Sequence, residues 1–278
     1  LEGYAASLHE ALTKPYPPYE AIGLRNLGGD YNQLDTSLLQ IENEFYGTIR
    51  PKRVIAAGER PLHALRERGV QYVEVRLMDL NPFLDVGIDA ETMRFLDLFL
   101  LHALLSDSPP DTPEEIAALK HNQHLTAERG REPGLRLERN GAEVLLVDWA
   151  AEVMAELVPV ARHLDAIKGG TRYAEALAMA QARMDDPSSL PSARVLQGIA
   201  AGEGKSFVGF VRQRSAAARE ALMALPYPVA EQARFAALAA ESTEAQKEIE
   251  AMDEMPFEQY RAHYVSPDRL TPGSAAGA

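Results

Sequence analysis

Residues 70–77 read VQYVEVRL, and the reading of this stretch decides the fold class. Val73, Val75 and Leu77 fall on one side of a two-residue period, and Tyr72, Glu74 and Arg76 fall on the other, which is the pattern of a half-buried strand. Upstream, residues 37–46 (SLLQIENEFY) alternate in the same way, with Leu39, Ile41 and Phe45 set against Gln40, Glu42, Glu44 and Tyr46. A second strand is expected there. Both would present a polar face.

Beyond the second stretch the punctuation is helical. Asp89, with Glu91 in the first turn, can cap a helix through MRFLDLFLLHALL to about Ser106, and Thr112-Pro113-Glu114-Glu115 is a capping box opening a helix to about Arg129. Residues 135–147 alternate around Asn140-Gly141, a dipeptide that tolerates the positive φ angles of a two-residue hairpin turn. From Asp148 onward Ala-rich amphipathic segments end at Gly169-Gly170, Pro187 and Pro226-Tyr227-Pro228, and Pro159 is expected to kink or split the first of them. The class is α+β, with an antiparallel or mixed sheet near the start and a helical layer after it.

Composition removes several function classes. The 278 residues hold 28 Lys+Arg against 41 Asp+Glu, a formal charge of −13, with no basic block to neutralise a run of phosphates, so nucleic acid is not an expected partner. There is no Cys, which excludes disulfides, thiolate zinc sites, iron–sulfur clusters and Cys nucleophiles, and is compatible with a reducing cytoplasm. The most apolar stretch, residues 95–105, carries Asp97 and His102 and is far shorter than the roughly 20 residues of a membrane span. No membrane association is expected. The chain opens LEGYAASLHEAL with neither an initiator Met nor an export signal, and is expected to be a piece of a longer one.

Glu74 and Arg76 are the first candidates for chemistry, because same-face neighbours on a strand stand roughly 7 Å apart on a rigid platform. Such a pair can serve a divalent metal and a phosphate side by side, since magnesium takes carboxylate oxygens and Arg presents a planar fork to phosphate. By spacing alone, a salt bridge on a solvated sheet face is the commoner arrangement. Glu42, Glu44 and Tyr46 form a second row, and Arg50, Lys52 and Arg53 in IRPKR make a basic cluster just beyond it, suited to polyphosphate or equally to a solvated turn.

Other motifs carry less. Residues 202–206 (GEGKS) end like a phosphate-binding loop, but Ile199 stands where that motif needs a Gly and no strand precedes it, so a loop opening a helix is expected. His121 and His124 lack the surroundings of a metal-binding pair and suit a solvent-facing helix. Trp149 and the Met residues at helical spacing are expected to fill the core.

In order, LQIENEFYGTIRPKR, RGVQYVEVRLMDLNPF and GIDAETMRFLDLFLLHALLSDSP resemble glutamate-cysteine ligase of the proteobacterial type, closely over residues 38–108. The likeness is looser at the RxPGL turn of residues 131–135, at GGTRYAEAL and along the helical C-terminus. The resemblance implies ATP-dependent ligation of the γ-carboxyl of L-glutamate to the amine of L-cysteine, the first step of glutathione synthesis. It also implies the fold of glutamine synthetase, an antiparallel sheet whose concave face holds metal-bound ATP, with Mg2+ or Mn2+ as the metal. Carried over residue by residue, it assigns Glu74 to a divalent metal, Arg76 to the transferred phosphate and Tyr46 to the cysteine pocket. Arg50 and Lys52 are placed near the nucleotide.

In this family further metal-binding glutamates and a His lie in an N-terminal half that precedes the present sequence. The chain is therefore expected to be the C-terminal half of a cytoplasmic ligase, inactive without its other half. Residues 1–108 would complete the catalytic sheet domain, 109–264 would be mainly helical with a hairpin near 135–147, and 265–278 would be a disordered tail. Two other classes stay open on the residues alone: a metal-nucleotide-binding module without catalysis, and a structural α+β domain.

Overall fold

The computed structural model describes residues 1–56, 58–202, 205–266 and 269. The chain forms two compact units, Leu1–Asp79 with Tyr227–Ala278, and Leu80–Pro226. The first contains α1 (Glu2–Thr13), α2 (Pro17–Ile22), β1 (Ile49–Lys52), α3 (Pro61–Arg68) and β2 (Tyr72–Val75). The second holds α4 (Ala90–Leu105), α5 (Pro113–Arg129), β3 (Arg136–Arg139), β4 (Ala142–Leu145), α6 (Leu146–Lys168), α7 (Arg172–Asp185), α8 (Pro191–Ala201) and α9 (Phe207–Met223). The chain then returns to the first unit as α10 (Val229–Ala251) and α11 (Phe257–Tyr264). Among the described residues the fold is α+β, mostly helical with two antiparallel strand pairs, and the tail expected over 265–278 lies outside them except at 265, 266 and 269.

Local signals act where they were expected. Asp89 accepts from the Thr92 amide at 2.8 Å and opens α4, and Thr112 accepts from the Glu115 amide at 3.2 Å and opens α5. Asn140 and Gly141 take φ of 53° and 74° and close the β3–β4 hairpin. Pro159, however, does not split α6, which runs through it as one helix. Its neighbours explain this: Met154, Leu157 and Ala161 are buried with Leu98 of α4 and Leu177 of α7, and that packing outweighs one missing backbone hydrogen bond. Met154 is buried in this core and Met184 packs against it, whereas Met93 and Met223 are exposed and Trp149 is half-buried beneath the Arg139 guanidinium.

The strand expected over residues 37–46 is not formed. Ser37 makes only a single bridge to Pro15, and Glu42–Glu44 is a 3-10 turn. Its acidic side chains bond backbone amides instead of alternating across a sheet: Glu44 accepts from the Gln40 amide at 2.7 Å and Glu42 from the Leu62 amide at 2.8 Å. The partner of β2 is β1, inside the IRPKR segment. Glu203 and Gly204 of the GEGKS segment lie outside the described residues, and α9 follows with Ser206 at its N-cap.

In the first unit Ala5, Leu8 and Leu12 of α1 pack on Leu62 of α3, with Tyr4, Leu39 and Phe45 around them. Beside this core, Arg68 grips Glu59 with both guanidinium nitrogens, at 2.6 and 2.8 Å, and the Ala56 amide donates to the same carboxylate at 2.7 Å. The Arg68 fork, aided by that amide, holds the Glu59 carboxyl down to about 2. Among the described residues no helix is long and apolar enough to cross a membrane.

Two outcomes follow. Leu157→Ala should cost the second unit about 2–5 kcal/mol, read by urea unfolding at Trp149 fluorescence, since Trp149 lies in the same unit; a loss under about 1 kcal/mol would mean the core is loosely packed. Because the Glu59 pKa is depressed on folding, its stabilising contribution is complete above the unfolded carboxyl value of about 4.3 and is lost as pH falls toward 2. Arg68→Ala should raise the Glu59 midpoint in a carboxyl NMR titration, and an unmoved midpoint would remove Arg68 as the cause.

Candidate active site

β1 and β2 run antiparallel, with Arg50 opposite Glu74 and Lys52 opposite Tyr72. Pairing continues past the strand ends, where the Arg76 amide donates to the Thr48 carbonyl and the Gln71 amide to the Lys52 carbonyl, both at 2.9 Å. This register brings three charged groups together on one face. Arg76 Nη2 lies 3.1 Å from Glu74 Oε1, and Lys52 Nζ lies 3.4 Å from Oε2. The Arg76 guanidinium also covers the ring of Tyr46, 5.0 Å from its centroid, although Tyr46 is 76% exposed. Arg76 above all, with Lys52, holds the Glu74 carboxyl below the usual carboxylate range, against the opposing effect of burial.

Glu74, Arg76, Tyr46 and Lys52 are thus one cluster. Arg50 is not part of it. Its guanidinium is 4% exposed and donates from Nη2 to the Glu42 carbonyl at 3.2 Å and from Nη1 to the Asn43 carbonyl at 3.4 Å. It braces the turn before Tyr46, and Arg53 likewise donates to the Arg68 carbonyl at 2.7 Å.

The turn has a second, deeper brace. Glu42 is 1% exposed and its carboxylate takes Arg60 Nε on Oε1 at 2.6 Å and the Leu62 amide on Oε2 at 2.8 Å, at the N-terminus of α3. Arg60 Nη1 donates onward to the Tyr264 carbonyl at 2.9 Å, and its guanidinium lies 4.7 Å from the Tyr264 ring centroid. Sequence reasoning missed Arg60 and Tyr264, which lie 18 positions from Glu42 and 204 positions from Arg60 respectively. Their only local signal was Pro61, a helix opener directly after an Arg.

One feature of the cluster fits a metal ion. Glu74 Oε2 is closed to solvent and has no hydrogen-bond partner, only the Lys52 ammonium at ion-pair distance. A hard cation that takes one or two protein carboxylates together with phosphate oxygens suits such an atom. Among the described residues no group of three or more His, Asp or Glu side chains could hold a metal by itself, and His121 and His124 are exposed on α5.

Residues 1–126 match the family profile described as glutamate-cysteine ligase. Over 264 residues the chain is 45% identical to a glutamate–cysteine ligase of Azotobacter vinelandii, a match covering 95% of this chain and 49% of that relative. By these matches the chain is similar to glutamate–cysteine ligases. A ligase of Pseudomonas aeruginosa is 43% identical over 95% of this chain and 50% of its own length. The crystal structure of the Francisella tularensis glutamate–cysteine ligase in complex with AMP superposes with a TM-score of 0.84 at 34% identity, covering 95% of this chain and 52% of that one. The chain spans about half the length of the ligase relatives it matches.

Glu42→Gln should destabilise the first unit by about 3–5 kcal/mol, because it leaves the Arg60 charge buried without its partner. Hydrogen exchange at the amides of α1 and α3 reports this unit, which Trp149 does not. Exchange unchanged from wild type would show that the pair does not hold α3 in place.

Proposed function

We propose that this chain supplies part of the active site of a glutamate–cysteine ligase, which uses ATP to join the γ-carboxyl of L-glutamate to the amine of L-cysteine in the first step of glutathione biosynthesis. The observation that carries this reading is the Glu74–Arg76–Tyr46 cluster on the β1–β2 pair, within the stretch most like the family.

A carboxylate is a poor acyl donor. In the reaction a γ-carboxylate oxygen attacks the γ-phosphorus of ATP and ADP leaves, giving γ-glutamyl phosphate. The cysteine nitrogen then attacks the acyl carbon, the C–O bond to phosphate breaks, and the amine loses a proton. No enzyme nucleophile is needed, which suits a chain without Cys.

Arg76 offers its guanidinium fork to the transferring phosphoryl group, whose charge is greatest during transfer. Tyr46 supports that guanidinium from below and forms a wall of the cysteine pocket. Lys52 adds a second cation toward the nucleotide phosphates. Glu74 is the residue that would hold Mg2+ or Mn2+, and such an ion would neutralise phosphate oxygens of the nucleotide. A phosphate and a cation arriving together replace the single Glu74–Arg76 pair by two pairs, so neither charge is left uncompensated. One carboxylate does not fill an octahedral shell, which nucleotide phosphate oxygens, water or ligands from outside the described residues would complete.

The test is ADP release with Mg-ATP, L-glutamate and L-cysteine, measured for this chain alone and for the chain extended upstream to the length of its relatives. Turnover by the extended protein alone, and only with both amino acids, is the expected result. In that protein Arg76→Ala and Glu74→Gln should each lower kcat by about 10²-fold or more, with a smaller effect on the KM for glutamate. Unaltered kinetics in both variants, or turnover indifferent to cysteine, would sink the reading.

A further inference from the structure

The turn that presents Tyr46 is held from two directions. The Phe45 amide donates to the Glu42 carbonyl at 3.3 Å, and the Phe45 ring packs edge-on against Tyr4, 5.6 Å between centroids. On the other side a Cβ at Gly47 would stand 3.0 Å from the Phe45 ring. Tyr46 is therefore flanked by two fixed positions, and its side chain is directed out beneath Arg76.

The anchor of this turn is Glu42, and the anchor of Glu42 is Arg60, which in turn holds the carbonyl of Tyr264 at the end of α11. α11 is itself fastened: Arg261 donates to the Leu34 carbonyl at 2.6 Å, Glu258 pairs with Arg25 at 3.2 Å, and Phe257 meets the Tyr31 ring at 5.2 Å. From this series we infer that Arg60, braced by the C-terminal helix, is a positioning residue: through Glu42 it fixes the turn that sets Tyr46 against Arg76, and so governs affinity for the amine acceptor. The acceptor role rests on the ligase reading; the brace does not.

Two variants and one control test it. Arg60→Lys keeps a positive charge beside Glu42 but replaces two nitrogens at fixed separation by a single ammonium, so it does not reproduce the Nε and Nη1 geometry that holds Glu42 and the Tyr264 carbonyl in place. A chain ending at Met255 removes α11, and Tyr264→Phe retains both ring and carbonyl. Without the upstream extension, the first two should exchange the Phe45 and Leu62 amides about tenfold faster or more, while amides of α6 and the Tyr264→Phe protein behave as wild type. In the protein extended to the length of its relatives, Arg60→Lys should raise the KM for cysteine about tenfold, with kcat and the KM for ATP within about twofold.

Unchanged exchange at Phe45 and Leu62 overturns the brace. Faster exchange with an unmoved KM for cysteine overturns the acceptor role. Absence of cysteine-dependent turnover in the wild-type protein removes that role together with the ligase reading, and exchange alone then decides the brace.

Discussion

Burying a carboxylate costs several kcal/mol unless its charge is paired and its remaining lone pairs are occupied, and the way Glu42 meets that condition organises the first unit. Oε1 takes the Arg60 guanidinium, Oε2 takes the Leu62 amide, and the residue's own carbonyl takes Arg50. Each partner belongs to a different segment: the approach to α3, its first turn, and β1. One residue, by side chain and carbonyl, therefore fixes where three pieces of backbone meet, and Arg60 recruits a fourth through Tyr264. An apolar pair replacing Glu42 and Arg60 together could fill the volume at little cost in stability. It could not aim the Leu62 amide and a guanidinium at one point. The pair is best understood as a device for specifying geometry.

The cluster on β1 and β2 obeys a different balance. Glu74, Lys52 and Arg76 are only partly buried, and ion pairs of that kind contribute about 0–1 kcal/mol to folding. Folding alone gives little reason for one carboxylate to lie between two cations with one oxygen left without a hydrogen bond. Recognition of a charged ligand gives a reason, because three preorganised charges can be re-paired by an incoming phosphate and cation without moving the backbone. The cost of assembling them is met by the rigid turn behind Tyr46 and by the antiparallel register.

How much of this was legible in the sequence depends on the range of the interaction. VQYVEVRL reads correctly because period-two alternation there reflects a real strand, and Asp89, Thr112 and Asn140-Gly141 read correctly because caps and tight turns are made within four residues. SLLQIENEFY alternates as convincingly and misleads. Its polar positions are spaced to bond backbone amides at Gln40 and Leu62, a use that hydropathy periodicity cannot distinguish from a sheet face. The same error displaced the first strand into IRPKR, where alternating cations and a Pro resemble a solvated turn. The cluster of Glu74, Arg76, Tyr46 and Lys52 was reachable through family resemblance. The Arg60–Tyr264 link was not, because only the tertiary fold brings such distant positions together.

The two braces also explain why Arg50 and Lys52, neighbours in register on one strand, have different roles. Period two places both on the face that carries Glu74, yet the turn at Glu42 and Asn43 folds over Arg50 and takes both its Nη donors, while Lys52 stays open to Glu74. A basic motif read as one unit is thereby divided, one cation spent on structure and the other available to a ligand. The division is set by the end of the strand that the turn covers, and that is decided by Glu42. Under the ligase reading, the positive charge offered to the nucleotide from this strand is thus Lys52 beside Arg76, and Arg50 acts one step back, through the backbone that carries Tyr46.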